Sequence, residues 1–422
     1  MQNTEQRFIF HVDVNSAFLS WTAVDRLRKD PGSVDLRTIP AAICADPDFS
    51  RSVVTAKSIP AKKYGVQTGE PTRQAMKKCR TLKLVRADFG LYRRCSAQLM
   101  DILHSYTDLV QQISIDEAFM DVSALIKDAP PAQRRQAAQQ LAVNVKDTVR
   151  ERLHFTVNVG VAHNKLLAKM ASDFEKPDKV HTLFEDEIAG KMWPLPIGEL
   201  YGCGQATSSR LISLGIKTIG DAAAADMEFL QQQLGEKAGR YISESARGID
   251  DTPVSPQRRK AQSYSNEETT AENITADNYQ QYAKPLIRKL SASVAGRLKK
   301  DSTVGSTVTL SVKTDDFRRI SRQVPLDAGT NDGKIIADTA WALFEKLAAG
   351  PEGLFRQGKE IRLIGVGVSH LSEDDFNQLS MFDLMKEDQK YGKVRDAAAQ
   401  LREKYGQDVI FRASDLEKKK KS

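Results

Sequence analysis

Cysteine is scarce in this chain: four residues among 422 (Cys44, Cys79, Cys95 and Cys203), widely spaced and with no Cys-x-x-Cys pair. That excludes a disulfide framework and a zinc site, and predicts reduced, mostly buried thiols. Long apolar runs are missing too. None approaches the roughly eighteen residues that span a bilayer, and the opening Met1-Gln2-Asn3-Thr4-Glu5-Gln6 lacks the basic and apolar regions of a signal peptide. The expectation is a cytoplasmic protein without a membrane partner. With 41% apolar and 28% charged residues the chain reads as globular, and its length suggests roughly two to four domains. The net charge of +7 favours a polyanionic partner such as nucleic acid, but the excess is modest.

What is present is more telling. Phe10-His11-Val12-Asp13-Val14-Asn15 and, about a hundred residues later, Ser114-Ile115-Asp116-Glu117-Ala118-Phe119 each set acids among β-forming residues, which predicts a pair of adjacent strands. Carboxylates crowded at a buried strand edge repel one another and lose hydration. Divalent cations such as Mg²⁺ resolve that conflict, because they prefer hard oxygen ligands and leave room for substrate phosphates. Asp13, Asp116 and Glu117 are therefore candidate metal ligands, the alternative being ordinary solvated acids at strand ends.

Residues 37–55 read as β-structure broken by a polar turn, and 56–66 carry Lys57, Lys62 and Lys63, which either grip a triphosphate or form a solvated face. Helical periodicity returns at 91–109, a hairpin at 110–122, a long helix at 132–153 and a strand at 155–162. That strand runs into a helix at 163–173, where Lys165 stands at a terminus whose N–H groups and dipole favour phosphate. Strand, helix, hairpin, helix, strand is the split βαβ or ferredoxin-like order, an α+β fold, with an insertion after its first strand.

Beyond Leu195 the chain reads as a helix, a Gly202-Cys203-Gly204 hairpin and a second helix, an element whose glycines let backbone N–H groups approach a DNA phosphate. Residues 247–260, with two prolines and a basic end, read as a linker. A second α+β unit follows: a helix at 279–300 and strands at 305–313, 318–324 and 360–369. Arg318, Arg319 and Arg322 there are phosphate contacts or exposed strand charges. Gln378-Leu379-Ser380-Met381-Phe382-Asp383 follows an acidic stretch and sets Leu379, Met381 and Phe382 where a small groove would accept them, unless they tuck onto the neighbouring domain. A helix at 393–405 and a terminal lysine run complete the tail.

Asp13-Val14-Asn15-Ser16-Ala17-Phe18, Ser114-Ile115-Asp116-Glu117, the run from Asn164 to Asp173, and Lys176-Pro177 together resemble the signature set of Y-family (translesion) DNA polymerases, in its bacterial subgroup, over nearly the whole chain. The resemblance implies a right-hand architecture: a ferredoxin-like palm at 1–22 and 87–175, fingers at 23–86, a helix-hairpin-helix thumb at 176–246, a linker at 247–262, a little finger at 263–371 and a tail at 372–422. It implies that Asp13, Asp116 and Glu117, with the Val14 backbone carbonyl, hold two Mg²⁺ ions, with Mn²⁺ as a substitute. The ions would align a primer 3′-hydroxyl with a deoxynucleoside triphosphate. Phe18 becomes a steric gate against ribonucleotides, Ala17 its smaller neighbour, and Lys62 and Lys165 nucleotide contacts; Ile59 and Lys62 occupy the places of the family's Tyr-x-x-Arg. Gly202, Gly204 and the three arginines then contact primer-template DNA. Gln378, Leu379, Met381 and Phe382 resemble the peptide that binds the bacterial sliding clamp. The implied enzyme is a monomeric, template-directed DNA polymerase of low fidelity. A catalytically silent scaffold and a nucleotide cyclase on a ferredoxin-like palm are the competing readings. Retention of the acids counts against the first, the hairpin and the tail peptide against the second.

Overall fold

The computed structural model describes residues 7–48, 51–257, 260–373 and 389–406, and the chain divides into two compact units, Met1–Lys260 and Ala261–Ser422. In the first, β1 (Ile9–Val14) leads into α1 (Ala17–Lys29); β2 (Ala41–Cys44), β3 (Val54–Lys57), α2 (Ile59–Lys63), α3 (Thr72–Lys78) and β4 (Lys83–Arg86) form an insertion. Then come α4 (Phe89–His104), β5 (Val110–Gln112), β6 (Glu117–Asp121), the short α5 (Ser123–Ile126), α6 (Arg134–Leu153), β7 (Val157–Ala162), α7 (Lys165–Asp173) and β8 (Val180–Thr182). The main sheet runs β5-β6-β1-β7-β8. Strand β1 is antiparallel to both β6 and β7, and β8 is parallel to β7. This is the ferredoxin-like order expected from the sequence, with one strand added.

Strand periodicity divides the sheet into two faces. Phe10, Val12 and Val14 of β1, with Ala118 and Met120 of β6, pack in one core with Leu99 of α4 and Val145 of α6. Ile9 and Phe119 face the other way, into a core with Leu167 and Ala171 of α7. By the same alternation His11, Asp13 and Glu117 lie on the α7 face. Helix and sheet approach closely there, because a Cβ built on Gly160 of β7 would lie 1.9 Å from the Ala168 carbonyl oxygen. Only glycine fits that position without moving α7.

The insertion is a small three-stranded sheet, β3-β2-β4, with β2 and β4 parallel. Sequence periodicity missed β4, which joins β2 only through a long connection. Helices α8 (Ile188–Lys191), α9 (Gln205–Ser213), α10 (Ile219–Ala224), α11 (Met227–Leu234) and α12 (Glu236–Ala246) follow. One expectation is corrected here: a three-residue 3₁₀ turn, Ile197–Glu199, rather than a helix, precedes the Gly-x-Gly, and α9 follows it. Gly202 has φ +82°, and a Cβ on it would strike the Tyr241 ring, while a Cβ on Gly204 would meet nothing within 4 Å. The start of the expected linker is tied down: Asn164 Nδ2 donates to the Gly248 carbonyl (2.8 Å), Asp250 accepts from the Leu166 N–H (3.1 Å) and Ser255 N donates to Gln111 Oε1 (3.2 Å).

The second unit holds β9 (Ser263–Ile274), α13 (Tyr279–Lys300), β10 (Thr303–Thr314), β11 (Arg319–Thr330), α14 (Gly333–Phe344), β12 (Ile361–Glu373) and α15 (Gln389–Tyr405). Its antiparallel sheet has the order β11-β10-β12-β9. Leu290 and Val294 of α13 and Ile336 and Ala340 of α14 pack on Val308, Leu310, Val366 and Val368 of the sheet. Among the described residues no helix is long and apolar enough to cross a membrane.

Candidate active site

Register brings the two acidic motifs together. Asp13 is the cross-strand partner of Glu117, and the Val14 N–H donates to the Asp116 carbonyl (3.1 Å), which fixes Asp116 in the turn just before β6. Burial above all, then the charges of Asp13 and Glu117, push the Asp116 carboxyl above its ordinary value, although Ser114 Oγ donates to it at 2.5 Å. Mutual repulsion in a desolvated corner is the signature anticipated for a divalent-cation site. The three acids supply hard oxygen donors that suit such an ion. They are not a ready-made ligand triad, since no group of three His, Cys, Asp or Glu among the described residues is so placed.

Instead, each flanking acid is drawn to a lysine. Lys176 Nζ contacts Asp13 Oδ2 and lies 2.8 Å from Asp173. Lys169 Nζ lies 2.8 Å from Glu117 Oε2, and His11 Nε2 is 3.3 Å from the same oxygen. Contact with His11 foremost, and with Lys169 as well, pulls the Glu117 carboxyl down to about 2 despite its burial. Burial works against both ammonium groups, yet the surrounding acids outweigh it and hold Lys169 and Lys176 above the ordinary lysine value.

Beside the acids opens a cavity of about 530 Å³ lined by Val14, Ala17, Phe18, Ile59 and Asp116 together with Arg37, Lys57, Lys62 and Lys176. Four cations face one carboxylate, so the cavity suits an anion. Burial first, then the charge of Lys62, lowers the Lys57 ammonium, a cost that a bound anion would relieve. Phe18 stacks on Tyr92, with ring centroids 4.4 Å apart and planes within 7°. The Tyr92 hydroxyl is held in turn by Thr22 Oγ1 at 3.1 Å. One face of Phe18 is thereby fixed while the ring still lines the cavity.

Sequence reasoning gave Arg37, a lone arginine, no role; Lys57 belonged to the lysine run already singled out, and Lys176 stood in the Lys-Pro of the signature set without a role of its own. Lys63 of the run does not line the cavity, and neither does Lys165. The Lys165 Nζ donates to Gln111 Oε1 (3.3 Å) in a second cavity, beside Phe119, Tyr201 and Tyr241. The helix terminus that suggested a phosphate site is occupied by protein groups: Asn164 Oδ1 accepts from the Leu167 N–H and Asp250 from the Leu166 N–H. In the second unit Arg318, Arg319 and Arg322 are exposed on and before β11, with Arg319 paired to Glu267 and Arg318 Nε 3.5 Å from Asp316. Gln378, Leu379, Met381 and Phe382 lie outside the described residues.

Comparison with known proteins agrees with this geometry. Residues 12–173 match the impB/mucB/samB family, 261–381 that family's C-terminal domain, and 198–250 the DNA polymerase-iota thumb domain. The chain belongs to the impB/mucB/samB family of Y-family DNA polymerases. Among its relatives are DNA polymerase IV of Clostridium acetobutylicum, 38% identical over 416 residues and covering 98% of this chain and all of the relative, and DNA polymerase IV 1 of Bacillus subtilis, 32% identical over 98% of this chain and 94% of that one. The fold matches that of a Y-family DNA polymerase chimera of Dbh and Dpo4, with a TM-score of 0.72 at 22% identity, over 87% of this chain and 99% of the chimera.

Proposed function

We propose that this Y-family DNA polymerase performs translesion synthesis, extending a primer along a DNA template from deoxynucleoside triphosphates, with Asp13, Asp116 and Glu117 as its catalytic acids. The observation that carries the reading is the register of β1 and β6, which sets Asp13 opposite Glu117 with Asp116 in the turn just before β6, beside a cavity lined by four cations. Asp13, Asp116, Glu117 and the Val14 carbonyl would hold two Mg²⁺ ions, which when bound lower the charge cost of bringing the primer hydroxyl to the α-phosphate. Lys57, Lys62, Lys176 and Arg37 bind and orient the triphosphate. Phe18, braced by Tyr92, packs against the sugar and excludes a 2′-hydroxyl.

Gly204, with open space around it, lets its backbone approach a phosphate of the duplex, and the exposed Arg318, Arg319 and Arg322 add sequence-independent contacts. Residues 378–383 tether the enzyme to the sliding clamp, a reading that rests on the peptide's sequence. The deciding experiment is extension of a labelled primer with four deoxynucleotides and Mg²⁺. Wild type yields short, distributive products; Asp116→Ala and Glu117→Ala yield none while still binding primer-template. Full activity in either variant refutes the assignment of the acids, and a wild type that binds DNA without extending it supports the scaffold.

A further inference from the structure

Lys169 stands in the α7 run, yet the reaction as described gives it no task. It does not line the nucleotide cavity; its side chain is only 14% exposed, with its Nζ between Glu117 Oε2 (2.8 Å) and Asp173 Oδ2 (3.6 Å). His11, 1% exposed, approaches the same Glu117 oxygen at 3.3 Å. The other ring nitrogen, Nδ1, lies 2.8 Å from Ser172 Oγ, and that hydroxyl donates to the Lys169 carbonyl at 2.8 Å. Lys169 and His11 therefore converge on one oxygen of one acid, the ammonium of α7 as its hydrogen-bond donor and the imidazole in close approach. Glu117 Oε1 takes no hydrogen bond among the described residues.

Lys176 holds Asp13 differently. It belongs to the segment after α7 and also lines the nucleotide cavity, so its hold on Asp13 can be exchanged for a ligand phosphate. Lys169 belongs to a helix packed on the sheet and does not line that cavity.

We propose that Lys169, backed by His11, is a positioning residue for this polymerase, fixing Glu117 through Oε2 so that Oε1 alone remains to bind a divalent cation. The inference rests on the assignment of the acids above. Two effects of opposite sign follow. The ammonium charge beside the acids opposes cation binding, so removing it tightens that binding. Glu117 then loses its fixed orientation, so the reaction slows.

The test uses the full-length chain and its Lys169→Met, Lys169→Arg, His11→Gln and Asp116→Ala variants. Free Mn²⁺ is followed by electron paramagnetic resonance without DNA or nucleotide, and single-turnover extension gives the maximal rate and the nucleotide Kd. Lys169→Met should bind Mn²⁺ about three- to tenfold more tightly while its maximal rate falls about 10- to 100-fold. Nucleotide Kd should stay within about twofold, since Lys169 does not line that cavity. Lys169→Arg should recover most of the rate. His11→Gln, which removes no fixed charge, should slow the reaction without tightening Mn²⁺ binding. An unchanged rate in Lys169→Met overturns the proposal. So does a slower rate with weaker Mn²⁺ binding, or the absence of rescue by arginine, either of which marks a structural role. If Asp116→Ala still extends primers, the acid assignment falls and takes this inference with it; if Asp116→Ala is inactive and Lys169→Met is not impaired, only the inference falls.

Discussion

Asn158 joins the catalytic sheet to the segment that carries Lys176, and its removal is the sharpest test of how that segment is held. The side chain, on β7 and fully buried, makes four hydrogen bonds. Its Nδ2 donates to the Ser172 carbonyl (3.0 Å) and the Glu175 carbonyl (2.6 Å). Its Oδ1 accepts from Asn15 Nδ2 (3.0 Å) and from the Lys179 N–H (3.3 Å). At a net ~0.5–1.5 kcal/mol for each of the four bonds, Asn158→Ala should cost about 2–6 kcal/mol. The lower end applies if water reaches Glu175 and Lys179. Asn158→Asp keeps both acceptor roles but turns a carboxylate toward two carbonyl oxygens. It should be worse than alanine at pH 7 and improve as the pH falls and the acid is protonated. The assay is urea unfolding of the full chain, reading the transition of the first unit, together with exchange of the Lys179 amide. Nucleotide KM should rise in both variants as Lys176 loses its anchorage. A loss under about 1 kcal/mol for alanine, or aspartate tolerated better than alanine at pH 7, would refute the reasoning.

Phe18→Ala should relax discrimination against ribonucleotides by roughly a hundredfold or more, measured as the ratio of kcat/KM for deoxy- and ribonucleotides; unchanged discrimination places the gate elsewhere. Asp35 is held below its ordinary carboxylate value, foremost by the Arg37 hydrogen bonds. A depressed carboxylate contributes stability above its unfolded value near 4 and loses it as pH falls through the lower folded value. Asp35→Asn should therefore be less stable than wild type at pH 7, with the gap closing toward pH 3; a gap independent of pH in thermal melts would contradict this. Removing residues 378–383 should abolish clamp-stimulated extension while leaving unassisted extension intact, and equal stimulation of both chains would refute the tether.

The parts of this molecule legible in its sequence are those whose signal is local. Both acidic motifs carry acid and apolar neighbours within six residues, so the β1–β6 pairing was foreseeable, and α13 appears over the expected 279–300 because its apolar spacing persists for six turns. Strand β9 went unread for the opposite reason: Ser263, Asn266, Glu267 and Glu268 leave it almost no apolar alternation, and its place is set by pairing with β12 about a hundred residues later. The site divides along the same line. Asp13 and Glu117 announce themselves, but the partners of Lys169, Lys176 and Asn158 are set only by the elements packed around them. Lys165 shows the converse hazard. A lysine at a helix start is a sound local argument for phosphate, yet Asp250, 85 residues away, already accepts one of those N–H groups. Local chemistry proposes a site, and the long-range partner decides whether its donors are still available.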